Sequence, residues 1–266
     1  ATFGGSGDPA DFLADDGLTV TDGFFPTTKV AGGYDFVGDA YDADTAVPDP
    51  DPLACGHHGT HVGGTAAGQG VLSDGSTFTG PYDADTIASN DFLVAPGSAP
   101  EATIYAYRVF GCDGSANDDV ILQAIEAAVA ADVDVINMSL GSPWGTADEP
   151  LAVALDNATA EGVLSVVSAG NEGPSAYMLG GPSSANTVLS VAATDVSSAT
   201  LPGVAITGAE TYTAQNSNAF DFATSGPITG ELVDVGLGCD LADYDPAVGK
   251  IAVTHRGDCG RVARAI

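Results

Sequence analysis

Three histidines lie close together in a glycine-rich stretch of this chain. Residues 56–68 read GHHGTHVGGTAAG and contain His57, His58 and His61. Glycine lets backbone approach closely, so a histidine at a helix start here could reach a hydroxyl at about 3 Å and act as a general base. Two other interpretations stay open. His57 and His61, spaced i and i+4, could bind a metal, although no Glu follows the first histidine and no third ligand is evident. The histidines could also be packed core residues.

Further along the chain, three more segments could contribute to the same chemistry. Residues 104–109 read IYAYRV, residues 136–141 read INMSLG and residues 167–174 read VSAGNEGP. In motif, order and spacing, the four segments resemble the subtilisin-like serine proteases, the subtilase family. The resemblance covers about residues 1–200. Four matches in the same order are far more specific than a single motif.

The resemblance implies a role for His58 and for Asn171. The histidine directly before Gly-Thr-His is the general base of the family, and this position is His58, which would take the serine proton and return it to the leaving amine. His61 would then be structural, and His57 could affect access to His58 or the pKa of His58, or have no role. Asn171 matches the asparagine whose amide stabilises the oxyanion, an interaction worth roughly 3–4 kcal/mol in such sites.

The family's substrate-binding strand is matched by Ser139, Leu140 and Gly141. Its exposed backbone would pair with an extended peptide by strand addition. The resemblance therefore implies protein or peptide substrates and hydrolysis of peptide bonds by a Ser-His-Asp mechanism. A strand end closed by a glycine turn is the alternative interpretation of these residues.

Two catalytic motifs of the family are absent from these 266 residues. Neither an Asp-Thr-Gly or Asp-Ser-Gly turn nor a Gly-Thr-Ser-Met-Ala segment occurs. We therefore expect an internal fragment, inactive by itself, with the aspartate before residue 1 and the serine after residue 266. A catalytically degenerate peptide-binding relative is the first alternative, and a histidine-based metal hydrolase is the second.

The candidate site residues lie on a chain in which predicted strands alternate with predicted helices. Strand-like runs at 102–110, 133–140, 163–169 and 187–193 alternate with helical patterns at 118–131 and 149–161, which predicts an α/β fold with helices covering a mostly parallel sheet. The near-continuous apolar runs predict strands buried on both faces. The small residues after Gly59 predict a buried helix, and Asn117 is a natural N-cap for the helix that follows it.

After about residue 200 the pattern changes to short strands between turns, so we predict a peptidase domain at 1–200 and a second module at 201–266. Residues 249–259 are similar to a protease-associated domain, which implies an incomplete β-rich module for substrate selection or partner contact. His255 would be structural. Of the four cysteines, sequence order suggests Cys55 with Cys112 and Cys239 with Cys259, the latter as the disulfide of that module. Four cysteines allow three pairings, and free thiols are not excluded.

Charge and composition limit the partners and the compartment. Six basic and 36 acidic residues give a net charge of −30, which disfavours nucleic acid and suits a solvated acidic surface. No apolar run has the length of a membrane span. We predict an extracellular or cell-surface protein that requires no cofactor and has no metal site. Aspartate-rich loops leave structural calcium as an option, and their members are Asp39, Asp42, Asp44, Asp49, Asp51, Asp83 and Asp85.

Overall fold

The computed structural model describes residues 2–6, 25–112, 114, 116–194, 203–213 and 226–255. Contacts within the chain define two compact units, Ala1–Thr194 and Asp195–Ile266. The first unit contains, in chain order, β1 (Val30–Asp35), α1 (His57–Ala67), β2 (Gly70–Leu72), β3 (Thr77–Phe78), α2 (Ala84–Ala88), β4 (Phe92–Val94), β5 (Ile104–Arg108), α3 (Asp118–Ala130), β6 (Val135–Met138), α4 (Pro150–Ala160), β7 (Leu164–Ser168) and β8 (Leu189–Val191).

The strands of the first unit form three hydrogen-bonded sets. β1 pairs with β5, and β6, β7 and β8 pair in that order, all in parallel. β2 lies between β3 and β4 in an antiparallel sheet. Close backbone approach between β1 and β5 requires a glycine at position 33, because a side chain there would collide with the carbonyl oxygen of Ala106. The predicted α/β class is confirmed, with its parallel strands in two sets.

Helices α3 and α4 cover one face of the parallel strands. Their apolar residues recur at helical spacing and pack with alternate residues of β6 and β7, which gives each helix one buried side. The resulting core is Val37, Tyr41, Val109, Val120, Ile121, Ala124, Ile125, Ala128, Ile136, Met138, Leu151, Leu155, Ala158, Val163 and Val167. Both helices were predicted within one residue of their observed ends.

Two burial predictions were wrong. Val135 and Leu164 are 53% and 45% exposed, so the strands are buried on one face only, because no described helix of this unit packs on the other. Helix α1 is present as predicted but buries only Ala67. Its carboxyl-terminal end is held by the N–H groups of Ser98 and Ala99, which donate to carbonyls of α1, and by that of Gly97, which donates to the carbonyl of the C-cap residue Gly68. Its first turns are exposed.

Asn117 precedes α3 in the N-cap position, but its side chain does not cap the helix. Its Nδ2 instead donates to the carbonyl oxygen of Ala43 at 2.6 Å. Asp156 of α4 makes another long-range contact, because it accepts N–H and side-chain hydrogen bonds from Asn186 and Thr187 ahead of β8. These donors, the Thr187 hydroxyl first, lower the pKa of Asp156 to about 2.

The second unit contains β9 (Gly203–Ala205), β10 (Thr211–Thr213), β11 (Leu232–Asp234), a 3-10 helix (Leu241–Ala247) and β12 (Ile251–Val253). β9 and β10 are antiparallel, and β11 and β12 are parallel. His255 contacts the carboxylate of Asp234 at 2.9 Å on an exposed surface, and this hydrogen bond lowers the pKa of Asp234. None of the helices in the described ranges is long and apolar enough to cross a bilayer.

Candidate active site

Two candidate segments leave the sheet at the same edge. β6 and β7 are parallel neighbours with Met138 opposite Val167, so their carboxyl ends lie side by side. Residues 139–141 follow β6 directly, and Asn171 follows β7 after two residues. The Ser168 hydroxyl donates to the carbonyl oxygen of Leu140 at 3.4 Å. The structure therefore brings the predicted substrate strand and the predicted oxyanion loop together.

A third segment, residues 180–183, joins these two loops. The N–H of Gly180 donates to the carbonyl of Ala169 at 3.0 Å, while Ser142 and Gly181 exchange two backbone hydrogen bonds of 2.9 and 2.8 Å. The buried Ser183 hydroxyl closes the segment on itself by donating to Gly180 O at 2.8 Å. Because one segment bonds to both loops, backbone hydrogen bonds fix their relative position in addition to the Ser168 hydroxyl.

Asn171 follows a turn that only glycine adopts readily. Gly170 has a φ of +102°, and a side chain there would be strained. The N–H of Asn171 donates to Glu172 Oε2 at 2.9 Å, which holds the loop after the turn. The side chain of Asn171 is exposed.

His58 is the second residue of α1 and is exposed. A disulfide between Cys55 and Cys112 confirms the first predicted pair and ties the start of α1 to the loop after β5. In the described part of the chain no side chain hydrogen-bonds the His58 imidazole. For the second pair, Cys259 lies outside the described residues, so its bond to Cys239 stays a prediction.

Arg108, the last residue of β5, organises the segment before α1. Its guanidinium is 3.0 Å from the carboxylate of Asp35 and 2.6 Å from that of Asp39. The same group donates to the Leu53 carbonyl at 3.0 Å and to Cys55 Sγ at 3.2 Å. With 6% of its surface exposed, Arg108 is a buried cation that links two strands to the disulfide.

Asp35 is the most buried partner of this guanidinium, with 1% of its surface exposed. Burial raises the pKa of Asp35, although N–H donors from Gly38 and Val37 and the charge of Arg108 each lower it. Since desolvation is the largest of these effects, the charged form of Asp35 relies on the N–H donors of Gly38 and Val37 and on the charge of Arg108 together.

Two cavities border the candidate segments. One, of about 100 Å³, lies beside Leu140 and Gly141. The larger, of about 540 Å³, borders α1 on the side of His61, with Thr2, Phe3 and residues 94–98 as its other walls. His58 lines neither of these two cavities. His61 is itself exposed and lines the larger cavity, so its structural role stays a prediction.

Potential metal ligands converge at one place among the described residues. Asp39, Cys55 and Cys112 lie close together, but both cysteines are used in the disulfide. The other aspartates of the acidic loops do not join this cluster, and several accept N–H donors within their own turns, as Asp49 does from Asp51 and Asp83 from Thr86. Structural calcium stays a prediction.

Comparison with known proteins identifies the family. The sequence profile of the subtilase family, peptidase family S8, matches residues 14–238. The chain belongs to the subtilases. Its α/β architecture is accordingly a subtilisin-like fold, and the motifs around His58, Ser139 and Asn171 all lie within the matched region.

Individual subtilases are similar over large parts of this chain. Minor extracellular protease Vpr of Bacillus subtilis strain 168 is 34% identical over 88% of the chain, which spans 26% of Vpr. Subtilisin DY of Bacillus licheniformis is 34% identical over 63% of the chain, which spans 50% of that protein. Among solved structures, Sphericase superposes with a TM-score of 0.44 at 30% identity, covering 61% of this chain and 47% of that one. The chain thus spans half or less of the length of these subtilases.

Sequence reasoning missed two features of this subtilase site. The first is the Arg108 network, because a single arginine in a strand does not reveal which carboxylates it meets. The second is Glu149, which lines the smaller cavity next to Gly181. The helical pattern at 149–161 marks Glu149 only as the start of a helix, and its approach to Gly181 depends on tertiary structure.

Proposed function

We propose that this chain provides the general base, the oxyanion donor and the peptide-binding strand of an extracellular serine endopeptidase. The proposal rests on membership of the subtilases and on one geometric observation. The substrate-strand residues 139–141 and the Asn171 loop lie at the same sheet edge and are bonded to each other through residues 180–183. A peptide aligned on the first loop would therefore present a carbonyl to the second.

In this mechanism the peptide pairs with the backbone of residues 139–141, which orients its scissile carbonyl. His58 Nε2 accepts the proton of the attacking serine hydroxyl as the new C–O bond forms. The carbonyl electron pair moves to oxygen, where the Asn171 amide donates a hydrogen bond. His58 then gives its proton to the leaving nitrogen as the C–N bond breaks. The serine and the orienting aspartate are expected outside these 266 residues, so the chain alone should be inactive.

Secretion and the role of the second unit belong to the same proposal. Vpr is by name an extracellular protease, and a net charge of −30 and a disulfide suit an oxidising, aqueous compartment. We assign residues 201–266 to a protease-associated module that selects substrates or contacts partners. Support for this assignment comes from the strand and turn at residues 249–255, since the remainder of that motif lies outside the described residues.

A fluorophosphonate probe tests the catalytic assignment, because it reacts only with an activated serine. We expect the full-length gene product to be labelled and to cleave casein, and His58→Ala to abolish both. The neighbouring substitution His57→Ala is the matched control and should retain most labelling. The isolated 266-residue chain should not be labelled.

The same experiment separates the two alternatives. A peptide-binding relative would bind peptides without labelling or cleavage in any variant. A metal hydrolase would resist the probe and lose activity with a chelator. Full labelling of the His58→Ala variant would contradict the general-base role of this histidine.

A further inference from the structure

The cavity beside the substrate strand has an apolar wall and an acidic wall. Phe110, Ile121, Leu140 and Leu151 supply apolar surface, and Ile121 and Leu151 belong to the core. Glu149 and Asp118 supply carboxylates. Because Leu140 is also part of the peptide-binding strand, a side chain of a bound peptide can enter this cavity without leaving the strand.

Glu149 has an unusual environment for a carboxylate. Its Oε1 is shielded from solvent and accepts no hydrogen bond from the described residues. Oε1 lies against Gly181, and any side chain at position 181 would occupy the same space. The carboxylate of Glu149 therefore occupies space that is available because residue 181 is a glycine. A buried carboxylate oxygen without a donor is unfavourable, so a donor that enters the cavity would relieve this cost.

No cation of the first unit can serve as that donor. Residues 1–194 contain only two basic side chains of the lysine or arginine type, Lys29 and Arg108. Lys29 is buried and donates to the carbonyls of Pro100 and Ala102, and Arg108 is committed to Asp35 and Asp39. No lysine or arginine of the first unit therefore neutralises Glu149, whose Oε2 accepts one long hydrogen bond, from the N–H of Thr146 at 3.5 Å.

We propose that Glu149 determines specificity, and that the cavity binds a lysine or arginine side chain of the substrate. The aliphatic stem packs on Ile121, Leu140 and Leu151, and the cationic tip donates to Glu149. Asp118, in the exposed first turn of α3, adds negative potential at the same cavity. The excess of acidic residues over the whole chain favours approach of cationic peptides in the same way. This inference rests on the proposed endopeptidase function.

Peptide substrates with one varied position test the inference. In the full-length product, each position near the scissile bond is occupied in turn by lysine, arginine, norleucine or citrulline. At one position we expect kcat/KM for lysine and arginine to exceed that for norleucine about tenfold, the size of a charge-assisted hydrogen bond. Glu149→Gln keeps the shape of the side chain but removes its charge, and should reduce this ratio to about twofold or less. Asp134→Asn, an exposed carboxylate at the other end of β6, is the matched control and should leave the ratio unchanged.

Fluorophosphonate labelling of each variant distinguishes failure of the inference from failure of the proposed function. An enzyme that is labelled and active but shows no cationic preference, or keeps it in Glu149→Gln, would overturn the inference alone. Absence of both labelling and cleavage in the wild type would overturn both. If the Glu149→Gln variant loses labelling because it misfolds, inhibition of the wild-type enzyme by small molecules tests the inference instead. Hexylammonium is then expected to compete with substrate at lower concentration than hexanol, and equal inhibition would refute a cation-binding cavity.

Discussion

At the scale of single residues, the oxyanion role proposed for Asn171 can be tested in isolation. Its amide is neutral and exposed, and its loop is held by backbone bonds and by Glu172. Removal of the side chain should therefore leave the loop in place and remove only the donor.

We predict that Asn171→Ala in the full-length product lowers kcat about 10²- to 10³-fold while KM changes little, because the donor meets negative charge that develops only in the transition state. Steady-state kinetics on a peptide substrate measure both parameters. Asn157→Ala, at an exposed position of α4, serves as the control for loss of an asparagine. An effect on KM with kcat unchanged would assign Asn171 to substrate binding instead.

At the scale of secondary-structure elements, Arg108 holds β5, β1 and the segment before α1 together. The guanidinium is the charge partner of the buried Asp35 carboxylate and also contacts both sulfurs of the disulfide. Loss of this cation would leave a buried anion uncompensated, which is more damaging than loss of the whole pair.

Arg108→Met should lower the free energy of unfolding of the first unit by about 3–5 kcal/mol. The double variant Arg108→Met with Asp35→Leu should recover a large part of this loss, since no buried charge then remains. Hydrogen exchange of β1 and β5 amides in the full-length product measures both effects. If the double variant were as unstable as the sum of the single variants, the ion pair would not be the cause.

The positions of helices and motifs along the chain were more predictable from the sequence than their burial and their tertiary contacts. Helices α3 and α4 have clear helical spacing of apolar residues, and the motifs around Ser139 and Asn171 are continuous in sequence, so both could be located. The burial of α1 and of the outer face of β6 and β7 could not be predicted, because it depends on which other elements pack against them. Asn117 shows the same limit: its position marks a helix start, but its amide bonds to Ala43, which is distant in sequence.

At the scale of the whole molecule, the large negative net charge affects stability. A net charge of −30 on 266 residues produces mutual repulsion that opposes the compact state. Salt shortens the range of this repulsion, since the Debye length falls from about 30 Å at about 0.01 M to about 3 Å at about 1 M.

We predict that hydrogen-exchange protection of α3 and β7 amides in the full-length product increases over this range of sodium chloride. Tetramethylammonium chloride at equal ionic strength is the control, and it should act similarly if general screening is responsible. Unchanged or weaker protection in both salts would contradict the repulsion argument. An increase with sodium alone would point to a specific cation site.

The burial of both Lys29 and Arg108 also bears on the self-digestion expected of an endopeptidase with the proposed specificity. Because the folded first unit exposes no lysine or arginine side chain, an endopeptidase that selects these residues finds none to grip there while the unit stays folded. In a concentrated solution of such an enzyme, cleavage within the first unit would begin only in molecules in which that unit has already unfolded, whereas the partly exposed Lys250 of the second unit would be open to attack without unfolding of the first.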